Sequence, residues 1–331
     1  MHIPDGLMDP MVSAIGWIEF MVVIAVALLI SGKKFKEKDL PRIAVLSAGI
    51  FVAQMLNFPI GGGTTGHLVG AALFAILAGP VIAMVGMTVI LLIQALMFGD
   101  GGITAFGLNA TNMAIIAPLT GWGVYTLIQP FLAALKTATR HGKMNLGTAI
   151  AIGVGAWASV FVSASACAAE LAVSYAISDG AYGIAATVSI PAMLGYHVMI
   201  AIGEAMITVA VAAYVLSVSP NAFRLISEKN VAAQGLKGIM SSKIAHATVA
   251  VLIVFALALP LYFMYSSEGA DGLEKTMEDA GVDEGDAMLT SPFEYGETYF
   301  AALFAGILGF VATALVGLGL MNIFKIGRAA E

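Results

Sequence analysis

MVSAIGWIEFMVVIAVALLI, residues 11–30, is an unbroken apolar run containing a single acid, Glu19. About 20 such residues form a helix long enough to cross a hydrocarbon core roughly 30 Å thick. Further runs of this kind fall near 42–58, 68–79, 81–98, 107–135, 147–177, 190–217, 244–265 and 298–323. The chain is 60% hydrophobic and only 11% charged, against roughly 25% charged residues in a soluble domain. A soluble core of this size would lack the charged shell it needs. A β-barrel would show alternating segments of about ten residues, whereas these runs are continuous. The fold class is therefore all-α: a polytopic helical membrane protein whose solvent is the lipid bilayer.

The stub ahead of the first run carries Asp5 and Asp9 and no cation, and the run is longer than the roughly 7–15 residues of a signal-peptide core. It reads as a retained first span. The bulky His2 disfavours trimming of the initiator, so Met1 is expected to keep a free amine. Cys167 is the single cysteine, which excludes an intramolecular disulfide and a thiolate metal cluster.

Fourteen of the 15 basic residues lie in four segments, Lys33–Arg42, Lys136–Lys143, Arg224–Lys243 and Lys325–Arg328. Nine spans place all four on one side, which the positive-inside rule makes cytoplasmic. The N-terminus is then extracytoplasmic and the C-terminus cytoplasmic. This count treats 68–98 as two short crossings broken at Ala78–Pro80, either a tight hairpin or a broken pair reaching only partway. The 266–297 loop, with ten acids and one Lys275, is expected to be solvated and outside. A polar stretch at 219–243 separates seven spans from two.

Two sequences suggest chemistry. GGGTTGHL, Gly61–Leu68, nearly matches a phosphate loop, but His67 and Leu68 stand where Lys and Ser/Thr belong. Its glycines supply irregular, closely approaching backbone, and His67 is either an idle exposed residue or a ligand. MHIPDG opens the chain. A free amine, the His2 amide nitrogen and His2 Nδ1 can close two fused chelate rings around a metal. They leave one in-plane position that a second imidazole could fill, a tetragonal nitrogen set suited to Ni²⁺ or Cu²⁺. Met-His also begins many chains by chance, so the motif becomes informative only if the stub folds inward and brings His2 near His67.

Intramembrane ionisable groups are costly and functional by default. Within the runs stand Glu19, Gln54, Asn57, Gln94, Asn109, Asn112, Glu170, His197 and Glu204. His197 and Glu204, seven apart on one helix face, could orient a ligand histidine or form a satisfied structural pair. Asp5 is a further candidate for that orienting role. Stripes of small residues (Gly147, Ala151, Gly155, Ser159, Ser163, Cys167, and Ala301, Ala305, Gly309, Thr313, Gly317) mark close helix packing.

The Met-His start, the loop ending Thr64-Thr65-Gly66-His67-Leu68, FGDGGITAFGLNATNMA (98–114) and GYHVMIAIGEAMIT (195–208) resemble the CbiM/NikM family. Its members are substrate-capture (S) components of energy-coupling-factor transporters for cobalt and nickel. EGADGLEKTMEDAGV (268–282) resembles the PDGLE segment of the NikN-type partner, with Ala270 in place of proline. The resemblance implies a metal-binding core over 1–218, a cytoplasmic linker at 219–243 and a NikN-like two-span module at 244–331. It implies Co²⁺ or Ni²⁺ as transported ligand, without a resident cofactor, held by the Met1 amine, the amide and imidazole of His2, and the imidazole of His67. It further implies a coupling (T) membrane subunit and ATP-binding cassette ATPases as partners, and no catalysis in this chain. The C-terminal spans are expected to help load or clamp the core, with the acidic loop near its mouth. The competing expectations are a transporter or channel for another small solute, independent of the N-terminus, and an intramembrane enzyme. No nucleic-acid partner is expected.

Overall fold

A computed structural model of the chain describes residues 1–34, 40–55, 57–61, 64–132, 144–218, 270–293, 295 and 299–329. The 219–243 linker and the 244–265 run lie outside the described residues. The described chain is helical apart from one small hairpin. Five helices are long and apolar enough to cross a membrane, and two shorter apolar ones are Ile43–Gln54 and Phe300–Val316.

In chain order, α1 is Pro10–Lys34 and α2 is Leu40–Gln54, followed by strands β1 (Asn57–Gly61) and β2 (Thr64–His67). Next come α3 (Ala71–Ala78), α4 (Pro80–Ile93, extended by a π turn Gln94–Phe98) and α5 (Phe106–Ala110). A second π turn, Thr111–Ile116, leads into α6 (Ala117–Leu132). α7 is Leu146–Ile177, α8 Ala186–Val218, α9 Gly272–Ala280 and α10 Tyr299–Ala329.

The break at Ala78–Pro80 is where it was expected. Gly79 takes φ 89°, and Pro80 opens α4 as its first helical residue, where the missing N–H costs nothing. α3, however, has only eight residues, about 12 Å of rise. It cannot cross, so 68–79 is the partway member of a broken pair. Every residue of α3 is buried, so its irregular ends are shielded by protein, as bilayer depth requires. The α3–α4 unit nonetheless begins and ends beside His2. His67 lies just before α3 and Asp100 just after α4, and both touch the His2 ring.

The glycine loop is more regular than its composition suggests. β1 and β2 pair antiparallel, with Asn57 opposite His67 and Phe58 opposite Gly66. Asn57 therefore sits in a strand rather than at the end of a span. A Cβ on Gly66 would lie 2.6 Å from Ile200 Cγ1 of α8, so glycine lets the hairpin lie on that helix.

The small-residue stripe of α7 is buried. Ser159 Oγ donates to Ala117 O at 2.7 Å, and Ser163 Oγ donates to Asn112 O at 2.9 Å. These bonds satisfy carbonyls where the π turn joins α6. The corresponding stripe on α10 meets α2, where a Cβ on Gly309 would collide with the Phe51 ring.

The 266–297 loop requires a correction. Part of it is the helix α9, opened by a capping box in which Asp271 and Glu274 each accept from the other's backbone. Leu273, Thr276 and Met277 are buried, and the helix lies on α8. Their spacing of three and four forms one apolar face, which the surrounding acids obscured in the sequence.

Candidate metal site

The N-terminal stub folds into the bundle. Met1 is 2% exposed, and Ile3, Leu7 and Met8 are buried. Polar contacts on three sides hold this short segment in place. Asn109 of α5 grips the Ile3 peptide at both ends, Oδ1 accepting from Ile3 N at 2.8 Å and Nδ2 donating to Ile3 O at 3.0 Å. Gly102 N donates to Ile3 O and Gly183 N to Leu7 O. Gly6, at φ +78°, turns the chain against Gly285.

Asp5 belongs to this anchorage. Its Oδ1 accepts from Thr104 N at 2.7 Å and Thr104 Oγ1 at 2.6 Å, and its Oδ2 accepts from Met288 N at 2.9 Å. Burial opposes its charge, but these bonds hold its pKa below the usual value. Asp5 thus ties the stub to the 99–105 loop and the acidic loop, and makes no hydrogen bond to either site histidine.

At the inner end of the stub, the His2 and His67 rings lie with centroids 5.4 Å apart. His67 Nδ1 lies 3.2 Å from Leu68 O. Donation to that carbonyl fixes the tautomer and leaves Nε2 with its lone pair free. The Met1 amine is 3.1 Å from Asp271 Oδ2, and His67 Nε2 is 3.8 Å from the same oxygen. His2 Nδ1 sits 3.2 Å from both the carbonyl and Oδ1 of Asp100. His2 Nε2 is buried with no hydrogen-bond partner among the described residues. No three His, Cys, Asp or Glu side chains in the described residues are grouped to hold a metal, so a metal here would depend on main-chain nitrogens.

Burial opposes charge on the Met1 amine, but the Asp271 carboxylate outweighs it and raises the amine's pKa above its ordinary value. For Asp271 burial again opposes the charge, while the ammonium and then His67 hold it far below the usual carboxylate range. Burial lowers His2 to about 4 against the pull of Asp100. It also lowers His67, assisted by the neighbouring ammonium. Both imidazoles are therefore neutral near pH 7, the form that binds a metal.

His197 and Glu204 occupy one face of α8 but do not touch the His67 imidazole through a hydrogen bond. Glu204 accepts from Val69 N at 2.7 Å and Gly70 N at 2.9 Å. Two bonds from one carboxyl group at the start of α3 thus pin the backbone just past His67. Gln54 Nε2 donates to Val69 O at 2.7 Å and is held in turn by Gln94. His197 Nδ1 lies 2.8 Å from Met193 O, and its ring packs against Gly272, where an added Cβ would come within 2.7 Å of Cε1. His197 therefore shapes the seat of α9.

Asp100 and Asp271 escaped selection from the sequence. Asp271 lay within the PDGLE-like stretch and Asp100 in the GDGG turn, so both motifs were visible. Tyr295 donates to Asp100 Oδ2 at 3.0 Å and stacks on Phe98. The C-terminal part of the chain thus supplies Asp271 directly and steadies Asp100.

The model for the cobalt uptake substrate-specific transmembrane region, CbiM, matches residues 2–222. The chain belongs to the CbiM family. The "Putative fused nickel transport protein NikMN" of Archaeoglobus fulgidus is 31% identical over 97% of this chain and 98% of its own. The "Probable fused nickel transport protein LarMN" of Lactiplantibacillus plantarum is 36% identical over 70% of this chain and 69% of its own. A crystal structure of a truncated transition metal transporter matches with TM-score 0.57 and 37% identity, covering 65% of this chain and 98% of that one. A second transition metal transporter matches with TM-score 0.56 and 33% identity, covering 75% and 97%. The core resemblance read from the sequence therefore holds, and so does likeness to fused relatives along nearly the full chain.

Proposed function

We propose that this CbiM-family chain captures Ni²⁺ or Co²⁺ as the membrane substrate subunit of an ATP-driven importer of the energy-coupling-factor type. A coupling membrane subunit and separate ATPases power it. The observation that carries this reading is the buried Met1 amine, held with His67 against one oxygen of Asp271 while the His2 ring lies alongside. The ligands are the Met1 amine, the His2 amide and Nδ1, and His67 Nε2. To bind, the His2 ring leaves Asp100 and turns Nδ1 to the ion. The core 1–218 supplies the four nitrogens and the C-terminal module supplies Asp271, with the N-terminus on the extracytoplasmic side. Ni²⁺ is the preferred cargo: the nitrogen set is tetragonal, and the fused relatives carry nickel in their names.

Charge accounting explains why Asp271 belongs there. Before binding, one ammonium faces one carboxylate. On binding, the amine and the amide each lose a proton and a dication arrives. The amidate and Asp271 then balance it, so the net charge of the site, with Asp100 beside His2 included, is the same in both states. Ion capture should therefore release about two protons per ion, and affinity should rise roughly a hundredfold per pH unit below the amine's pKa. The imidazoles contribute little there, because His2 titrates at about 4. Calorimetry of Ni²⁺ binding in buffers of different ionisation enthalpy measures the number directly. A release near zero would defeat the chelate.

Asp271→Asn separates the two charge states. The carboxylate faces a single charge before binding and a double charge after it, so its loss costs the bound state more. Ni²⁺ affinity should fall at least about tenfold, the scale of lost partners around a metal ligand. The amine's pKa should drop, because burial then acts without the carboxylate that outweighed it, shifting the upper break of the affinity profile to lower pH. Titration of the purified variant across pH checks both effects.

A further inference from the structure

Three acids lie inside the candidate spans of the described chain, at Glu19, Glu170 and Glu204. Glu204 is fully buried on the α3 backbone. Glu170 accepts from Asn112 Nδ2 at 2.7 Å. Glu19 alone is exposed, and no hydrogen bond or ion pair reaches its carboxylate from the described residues. It lies within the span Pro10–Ile30, roughly 14 Å from one end and about 16 Å from the other at 1.5 Å per residue. Its side chain is thus far from both ends of the apolar run.

The surroundings of Glu19 are shaped for a neighbour. Ile18, Glu19, Val22 and Val23 of α1 form one wall of a groove of about 440 Å³, and Thr111 and Ile115 of the second π turn form the other. Positions 18/22 and 111/115 are each four apart, so both walls are helical ridges with a trough between them. Thr111 Oγ1 and the Oδ1 of Asn112 are buried without a hydrogen-bond partner among the described residues. Lipid tails would suit Ile18 and Val22 but would leave the exposed Glu19 carboxylate unsatisfied. A second copy of this chain docked by a two-fold axis would set Glu19 against Glu19, and like charges at this depth repel.

We propose that this groove seats a transmembrane helix of a different membrane polypeptide, which presents a Lys or Arg at mid-depth to Glu19. Apolar ridges supply the packing, and the cation supplies register and selectivity in a medium where polar contacts act as glue. The proposal rests on reading the chain as one subunit of a larger importer. It concerns a face that the ion site does not use.

The test uses the complete chain in cells expressing the whole importer. A photo-crosslinking residue is placed at Ile18 or Val22, and as a control at Met206, which is 69% exposed on α8. The α1 positions should cross-link to one membrane polypeptide, through a peptide lying in a transmembrane segment that contains Lys or Arg. Met206 should not give that product. Glu19→Lys should cut uptake at least tenfold, Glu19→Gln should cut it less, and reversing the identified cation should restore Glu19→Lys. Both purified variants should bind Ni²⁺ with unchanged affinity, which separates this proposal from the metal reading. Cross-links only to lipid or to a second copy of the chain would overturn it. So would full uptake by Glu19→Lys, or a matching loss of Ni²⁺ affinity. If Glu19→Lys does not accumulate, Glu19→Gln and the cross-links decide the matter. If the unaltered protein fails to bind Ni²⁺, the metal reading falls and the cross-links alone decide the groove.

Discussion

Adding two residues ahead of Met1 should abolish high-affinity Ni²⁺ binding. The extension turns the terminal amine into a peptide nitrogen, which could bind only by losing a far less acidic amide proton. It also has no room, because Met1 is 2% exposed and its nitrogen already meets Asp271 at 3.1 Å. Partners one shell out from a metal typically cost 10–100-fold when lost, so losing a ligand and the seating of the stub together should exceed about 100-fold. A protease site within the extension provides the control: cleavage that regenerates Met1 should restore binding in the same sample. Full affinity in the uncleaved protein would remove the basis of the proposed function. A rival transporter whose cavity ignores the N-terminus would behave in that way.

His67→Ala should produce a loss of similar size for a different reason. The variant keeps the Met1–His2 chelate but empties the fourth in-plane position, so binding should weaken by more than about 100-fold without being blocked sterically. The hairpin should survive, because its backbone is held elsewhere: Thr65 N donates to Ala270 O at 3.0 Å, and Glu204 pins Val69 and Gly70. Calorimetry should therefore show the loss while thermal unfolding in detergent stays within a few degrees of the unaltered protein. Unchanged Ni²⁺ affinity would remove His67 from the ligand set. A collapsed unfolding transition would recast it as a structural residue.

The two predictions draw on different levels of the chain. His2 and His67 were legible as a pair because the chemistry of an N-terminal chelate asks for one more imidazole, and because the motifs around both resemble the CbiM/NikM pattern. Asp5 and Glu204 were legible as unusual, but not in their roles. A buried acid in a sequence announces only that something must satisfy it. Here the satisfying groups are mostly backbone N–H groups, Val69 and Gly70 for Glu204, Thr104 and Met288 for Asp5 with only the Thr104 hydroxyl besides, and backbone carries no sequence signature. Asp271 was hidden for the opposite reason. It stood among ten acids in a loop whose charge read as solvation, and the apolar face formed by Leu273 and Met277 is only a turn and a half of helix long.

The sequence by itself determined the solvent, and with it the class of fold. Runs of some 20 apolar residues with so few charges leave helices in a bilayer as the arrangement that satisfies every backbone group, a local property that needs no knowledge of contacts. Only the tertiary structure decided that the first nitrogen of the chain is drawn inside. It likewise decided that a carboxylate 270 positions away meets that nitrogen, and that α3 stops after eight residues. Those outcomes depend on which groups remain unpaired once the helices pack, and pairing between residues so far apart in the chain exists only in the assembled bundle.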